Sequence, residues 1–400
     1  MELGGNWGHF ARDIPIALAL RERGHELLFA VRDGPMAQRL LAPHRLAYRP
    51  AGMSSVPLRA MTPPANYAEV LLNLGYARVG ALHSMLISWL ALLDHHEPDV
   101  IVADYAPTAM LAARLTSRPL VAIGLGYELP PPLHPLPSIR PWDPVPVQRL
   151  VRSEATLLAA TNVAVDALGG APLRYLHELL SSDATLLTTM PELDHFGPRS
   201  GALYLGPLYS TPQPALTVQW PGEQRPRVLG YLHPRTDGLH ALLNVLGESG
   251  ASILCIPGPS PHNQATHTRC HVYPDALDLD SLLPQADLVI TNGNLTTSTR
   301  ALLAGRPVLA LPHVVEQQLG ARRIALLGAG LVADEARTEQ VLRSLLGRLW
   351  LEDSFRRCAG QFAARHAGYT PAAAAARASE IIEAAARDFV IPNTIAGCPT

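Results

Sequence analysis

Apolar and polar positions fall along this chain in two kinds of block. Short, nearly continuous apolar runs stand at residues 26–31, 100–104, 120–124 and 184–188, and the style repeats at 228–232, 252–257, 288–291 and 308–311. Stretches of helical period separate them. Runs without polar alternation are what parallel strands covered on both faces require, so the pattern predicts two parallel-sheet α/β units in tandem.

Between the two sets, residues 207–226 carry Pro207, Pro212, Pro214, Pro221 and Pro226 with no helical period. This reads as a linker between a domain at 1–206 and another at 227–370. A second proline-rich stretch, 130–146, cannot build a regular element because proline lacks the backbone donor; it is either a surface connection or the wall of a substrate pocket. Residues 371–390 read as a helix, with Thr370 as N-cap, Pro371 at the first helical position and an alanine run behind them. That helix is expected to pack back on the first domain, with 391–400 as a tail. The most apolar helix candidate, 87–93, is interrupted by Ser88 and preceded by His83 and Ser84, so it reads as buried or groove-lining. No run of about 18 apolar residues exists, and the N-terminus has neither a basic region nor an apolar core, so neither a membrane span nor export is expected.

Composition narrows the picture. At 400 residues the chain exceeds what one core usually serves, and with 48% hydrophobic against 16% charged residues it can fill two. A formal charge of −2 gives no electrostatic footprint for nucleic acid. Cys255, Cys270, Cys358 and Cys398 show neither metal-ligand nor disulfide spacing, which fits a reducing cytoplasm.

Gly8-His9 opens a helix that ends in Leu20-Arg21-Glu22-Arg23-Gly24-His25. Far downstream, Leu283-Pro284-Gln285-Ala286-Asp287-Leu288-Val289-Ile290-Thr291-Asn292-Gly293 leads to Ala301-Leu302-Leu303-Ala304-Gly305-Arg306-Pro307-Val308, then Pro312, Glu316-Gln317 and Ala321. Together these resemble, in order and spacing, the nucleotide-sugar glycosyltransferase family that includes the macrolide glycosyltransferases and the UDP-glucuronosyltransferases. The resemblance runs from Gly4 to Gly330. It implies the GT-B fold, two facing Rossmann-like domains with the acceptor on the first and the nucleotide sugar mainly on the second. It also implies an inverting transfer from a UDP- or dTDP-linked sugar to a small hydroxylated acceptor, with no cofactor and no metal.

Inverting transfer needs a base that removes the acceptor hydroxyl proton, a task suited to histidine with its ordinary pKa near 6.5. By resemblance His9 holds that position, and Asp104 that of the acidic residue which orients the ring and stabilises the charge it acquires. A helix N-terminus is expected to keep His9 neutral. The plain alternatives are a helix-capping histidine and an aspartate capping the helix after its strand.

A diphosphate is commonly held by backbone N–H groups where a glycine-bearing turn enters a helix. Asn292-Gly293-Asn294-Leu295-Thr296-Thr297 can supply that turn, although the family usually has histidine at 292 and glycines at 294 and 296. Asn292 and Asn294 can donate hydrogen bonds, and Thr297 keeps a hydroxyl for phosphate; the alternative is a turn that caps itself with these side chains. Arg300 stands where the family places a ribose-binding glutamate, and arginine offers only donors. By resemblance, Glu316 and Gln317 hold the sugar hydroxyls, and the base lies near Val272 and Tyr273.

A Rossmann domain begins with a strand, whereas here the Gly4-Gly5-Asn6-Trp7-Gly8 loop starts almost at Met1. The first strand of the N-terminal domain is therefore expected to be missing, through a start codon lying upstream or a truncated domain. Two rival functions remain: a catalytically degenerate homologue that binds a nucleotide or a partner, and a nucleotide-sugar 2-epimerase, against which the Gly8-His9 signature argues.

Overall fold

The computed structural model describes residues 1–4, 7–52, 63–210, 215–257, 268–334 and 336–388. Gly5 and Asn6 of the N-terminal loop, Pro212 and Pro214 of the linker, and the 391–400 tail with Cys398 lie outside them. The chain divides into two compact units. The first comprises Met1–Thr188, Gly201–Leu205 and the segment from Ala372 on; the second comprises Thr189–Ser200 and Gly206–Pro371.

In the first unit, β1 (Leu28–Val31) and β2 (Ala47–Pro50) form a parallel pair. A four-stranded parallel sheet runs in the order β3 (Ile101–Asp104), β4 (Leu120–Gly124), β5 (Ala184–Leu187), β6 (Leu203–Tyr204). All five residues of β4 are buried, as its unbroken apolar run requires. Among the described residues no strand precedes the helix Trp7–Glu22. Met1–Leu3 bridge the two sheets instead: the Met1 amino group donates to Ala30 O at 2.9 Å and Leu3 N to Tyr105 O at 2.9 Å. The helix Pro371–Asp388 buries Ala374, Ala375, Ala378 and Ile382. Its Glu383 accepts two hydrogen bonds from Arg23, each 2.6 Å.

The second unit holds one six-stranded parallel sheet in the order β12-β11-β10-β7-β8-β9. Its strands are β7 (Arg227–Tyr231), β8 (Ala251–Cys255), β9 (Cys270–Tyr273), β10 (Leu288–Thr291), β11 (Val308–Ala310) and β12 (Gly330–Val332). Val228, Leu254, Ile290 and Leu309 fill the core on one face, against helices that include Leu239–Gly247 and Glu339–Leu351.

Register decides where chemistry can collect. Thr291 lies beside both Tyr231 and Ala310, so β7, β10 and β11 end level, and the loops leaving them carry His233, Asn292 and His313. In the first unit Asp104 pairs with Ile123, and the next loops carry Tyr105 and Glu128. The carboxyl ends of parallel strands are where such sheets bind ligands. Among the described residues, no helix is long and apolar enough to cross a membrane.

Candidate functional site

The helix Trp7–Glu22 presents His9 and Arg12 on one face, three residues apart. His9 Nδ1 lies 3.0 Å from both oxygens of Asp104, the last residue of β3. The ring stacks against Tyr105, with centroids 6.1 Å apart and planes at 15°. On another side the backbone of Gly4 approaches so closely that a Cβ there would stand 2.4 Å from the imidazole, so this position requires glycine.

Arg12 is buried beneath the ring. Its Nη1 donates to Glu128 Oε2 at 2.9 Å and its Nη2 to Asp104 Oδ1. Guanidinium is a donor only, so the two carboxylates share one permanent cation. Glu128 Oε2 also accepts from Leu125 N at 2.7 Å, while Oε1 lies 3.7 Å from His9 Nε2. His9, Asp104 and Glu128 place ligand atoms within 4.8 Å of one another, a spacing that could hold a metal ion. Arg12 already binds both carboxylates there, and its charge opposes a second cation.

Burial disfavours charge on Asp104, yet Arg12 first and then His9 hold its carboxyl far below the usual range. On His9, burial works against the imidazolium, but Asp104, with Glu128 behind it, outweighs burial and raises the ring above its ordinary value. This is opposite to the neutral ring expected from the helix N-terminus. A full charge in direct contact exceeds the roughly half charge of a helix end. Arg12 Nη2 also lies 2.8 Å from His9 Nδ1; in the tautomer whose Nδ1–H is given to Asp104, Nε2 is the nitrogen left to take a proton.

In the second unit, the turn after β10 is stitched from within. Asn292 is 4% exposed. Its Oδ1 accepts from His233 N at 2.7 Å, and its Nδ2 donates to Thr236 Oγ1 at 3.0 Å and to Leu311 O at 2.9 Å. Gly293 has φ +87°, and a Cβ there would stand 2.6 Å from Gln317 O. Gly293→Ala is therefore expected to lower the unfolding free energy by about 2 kcal/mol or more, combining a left-handed backbone with a backbone clash. An unchanged denaturant midpoint would contradict it.

Asn294 is the N-cap of the helix Leu295–Leu303, and its Nδ2 donates to Thr297 Oγ1 at 2.8 Å, a bond that leaves the Thr297 hydroxyl proton unused. Thr296 is half-buried beside them. Gln317 Oε1 accepts from His313 N at 2.8 Å, and Glu316 precedes it on the first turn of the helix Val315–Leu326. Arg300 is held apart from this group: its Nη2 donates to Asp280 at 2.7 Å and its guanidinium lies 4.0 Å over the Tyr209 ring. Val272 and Tyr273 end β9 at the sheet edge, two strands from β7.

Two residues that sequence reasoning missed stand at the same end of the sheet. The rings of His233 and His313 are stacked 5.7 Å apart with planes at 13°. His233 Nδ1 accepts from Arg235 N at 3.1 Å, which puts its proton on Nε2. Burial, then His313 and Arg235, lower the His233 pKa, which favours the neutral ring. The available signal was position: His233 directly follows the apolar run 228–232, and His313 follows the run 308–311 after one proline.

No family model matches the chain. It is 26% identical over 393 residues to a PGL/p-HBAD biosynthesis glycosyltransferase of Mycobacterium tuberculosis (strain ATCC 25177 / H37Ra), covering 90% of this chain and 87% of that protein. It is 25% identical over 357 residues to a PGL/p-HBAD biosynthesis rhamnosyltransferase of Mycobacterium bovis (strain BCG / Pasteur 1173P2), covering 83% and 75%. Among solved structures, the glycosyltransferase VinC in complex with dTDP superposes with a TM-score of 0.70 at 20% identity, over 96% of this chain and 98% of that one.

Proposed function

We propose, for a chain that by fold and relatives is a GT-B glycosyltransferase, that it moves a sugar with inversion from a nucleotide diphosphate to a hydroxyl of a small acceptor. The mycobacterial relatives are named for PGL/p-HBAD biosynthesis and VinC was solved with dTDP, which supports a dTDP-linked donor, or UDP in its place, and a small natural-product acceptor. The observation that carries the reading is the contact of His9 Nδ1 with Asp104 at 3.0 Å, which leaves Nε2 as the base.

In the reaction, the acceptor O–H gives its proton to Nε2 as its oxygen bonds to the donor's anomeric carbon, and the bond from that carbon to the diphosphate breaks. Asp104 stabilises the imidazolium that results. The leaving diphosphate is held by the N–H groups of the Gly293-Asn294 turn and by Thr297. His233 and His313 supply donors that the buried Asn292 cannot. Glu316 and Gln317 take the sugar hydroxyls, and Val272 and Tyr273 border the base. Thr296 lines the turn, and Arg300, held by Asp280 and Tyr209, stays outside this set.

A second reading, a homologue that binds nucleotide without transfer, is favoured by one observation: Asn292 and Arg300 are both used up within the fold. Calorimetric titration of the full chain with dTDP and UDP, followed by assay of sugar transfer to hydroxylated acceptors, separates the two. The expected result is binding, weakened about tenfold in the His233→Gln/His313→Gln double variant, together with transfer. Failure to bind either nucleotide overturns the proposal, and binding without transfer selects the second reading.

A further inference from the structure

We infer that Glu128 reads a second hydroxyl on the acceptor, so that the substrate class is one whose reacting hydroxyl has a neighbouring donor, as in a vicinal diol or a catechol. The inference rests on the reading of His9 as base and adds to it the feature that selects the acceptor.

Glu128 is 5% exposed, and its two oxygens differ sharply. Oε2 is satisfied by Arg12 Nη1 at 2.9 Å and Leu125 N at 2.7 Å. Oε1 makes no hydrogen bond with the described residues and points to the same side as His9 Nε2, 3.7 Å away. That separation is too long for a hydrogen bond between them. It suits two acceptor atoms side by side, each about 2.8 Å from one of two hydroxyls on adjacent carbons.

The carboxylate cannot turn aside. Arg12 and Leu125 N hold it from one side, and Gly124 packs against it so closely that a Cβ there would stand 2.6 Å from Oε2. An acceptor with a single hydroxyl at Nε2 leaves the negative Oε1 unpaired beside an oxygen that gains negative charge as its proton departs. A neighbouring hydroxyl places its proton between the two. Sites built to hydrogen-bond a substrate hydroxyl discriminate strongly against analogues lacking it, because the buried partner is left unpaired.

Glu128→Gln tests this with little change of shape. Arg12 and Leu125 N are both donors and require the amide oxygen on their side, so the amide NH2 takes the place of Oε1 and an acceptor becomes a donor. Binding of catechol against phenol, and of cis-cyclohexane-1,2-diol against cyclohexanol, is measured on the full chain without donor. The probe is the His9 ring resonance in 13C-histidine-labelled protein, identified by its loss in His9→Gln. Each diol is expected to bind roughly ten- to a hundredfold more tightly than its single-hydroxyl partner, and the preference should fall to near unity in Glu128→Gln. Equal binding within both pairs, no binding of any probe, or a preference retained in the variant overturns the inference. Sugar transfer by the same protein tests the underlying reading, and transfer without diol preference sinks this inference alone.

Discussion

Replacing His9 by alanine is expected to lower turnover by about 10²- to 10⁴-fold, the usual worth of a positioned general base, and to leave dTDP or UDP binding unchanged, because the proposal assigns the nucleotide to residues of the second unit. The pH profile carries a further signature. In the proposed mechanism His9 serves as base only when Nε2 is unprotonated, and Asp104 and Glu128 raise the ring above its ordinary value against the opposing effect of burial. Activity should therefore fall as pH drops through a value above 6.5, and this limb should vanish in the alanine variant. A rate that does not change on substitution removes His9 from the mechanism, and an acid limb below 6.5 contradicts the geometry at Asp104.

Arg12→Met should cost about 3–5 kcal/mol of stability, read from denaturant melts. The substitution keeps much of the buried volume but withdraws the one cation that Asp104 and Glu128 share, and uncompensated buried charge is among the most destabilising changes a fold can suffer. A loss below about 1 kcal/mol would mean that the two carboxylates find other partners and that Arg12 is not what holds them together.

The strands that sequence could reveal are those buried on both faces. β4 is an unbroken apolar run and β8 is interrupted only by Ser252, and the structure buries all five residues of each. β2 was not legible because three of its four residues are exposed and its pattern, Ala-Tyr-Arg-Pro, carries no apolar signal. β6 and β12 have two and three residues, too few to show a period. At the site, His9 and Asp104 could be picked out through the family resemblance, and the structure brings them into contact. Arg12 could not, because an arginine on a helix ordinarily reads as a solvated face. Glu128 lies in a loop near a proline-rich stretch, and nothing in the spacing of 12, 104 and 128 brings them together. They converge because a helix and the loops at the level ends of two parallel strands meet at one point, which is a property of register.

The side chain of Asn292 ties together the segments that leave β7, β10 and β11. A histidine placed at this position, with two ring nitrogens, has one nitrogen too few to meet three partners. If the proposed donor site is right, a protein engineer seeking to alter donor choice would leave position 292 alone and work on the side chains of His233 and His313, which do not tie the three segments together.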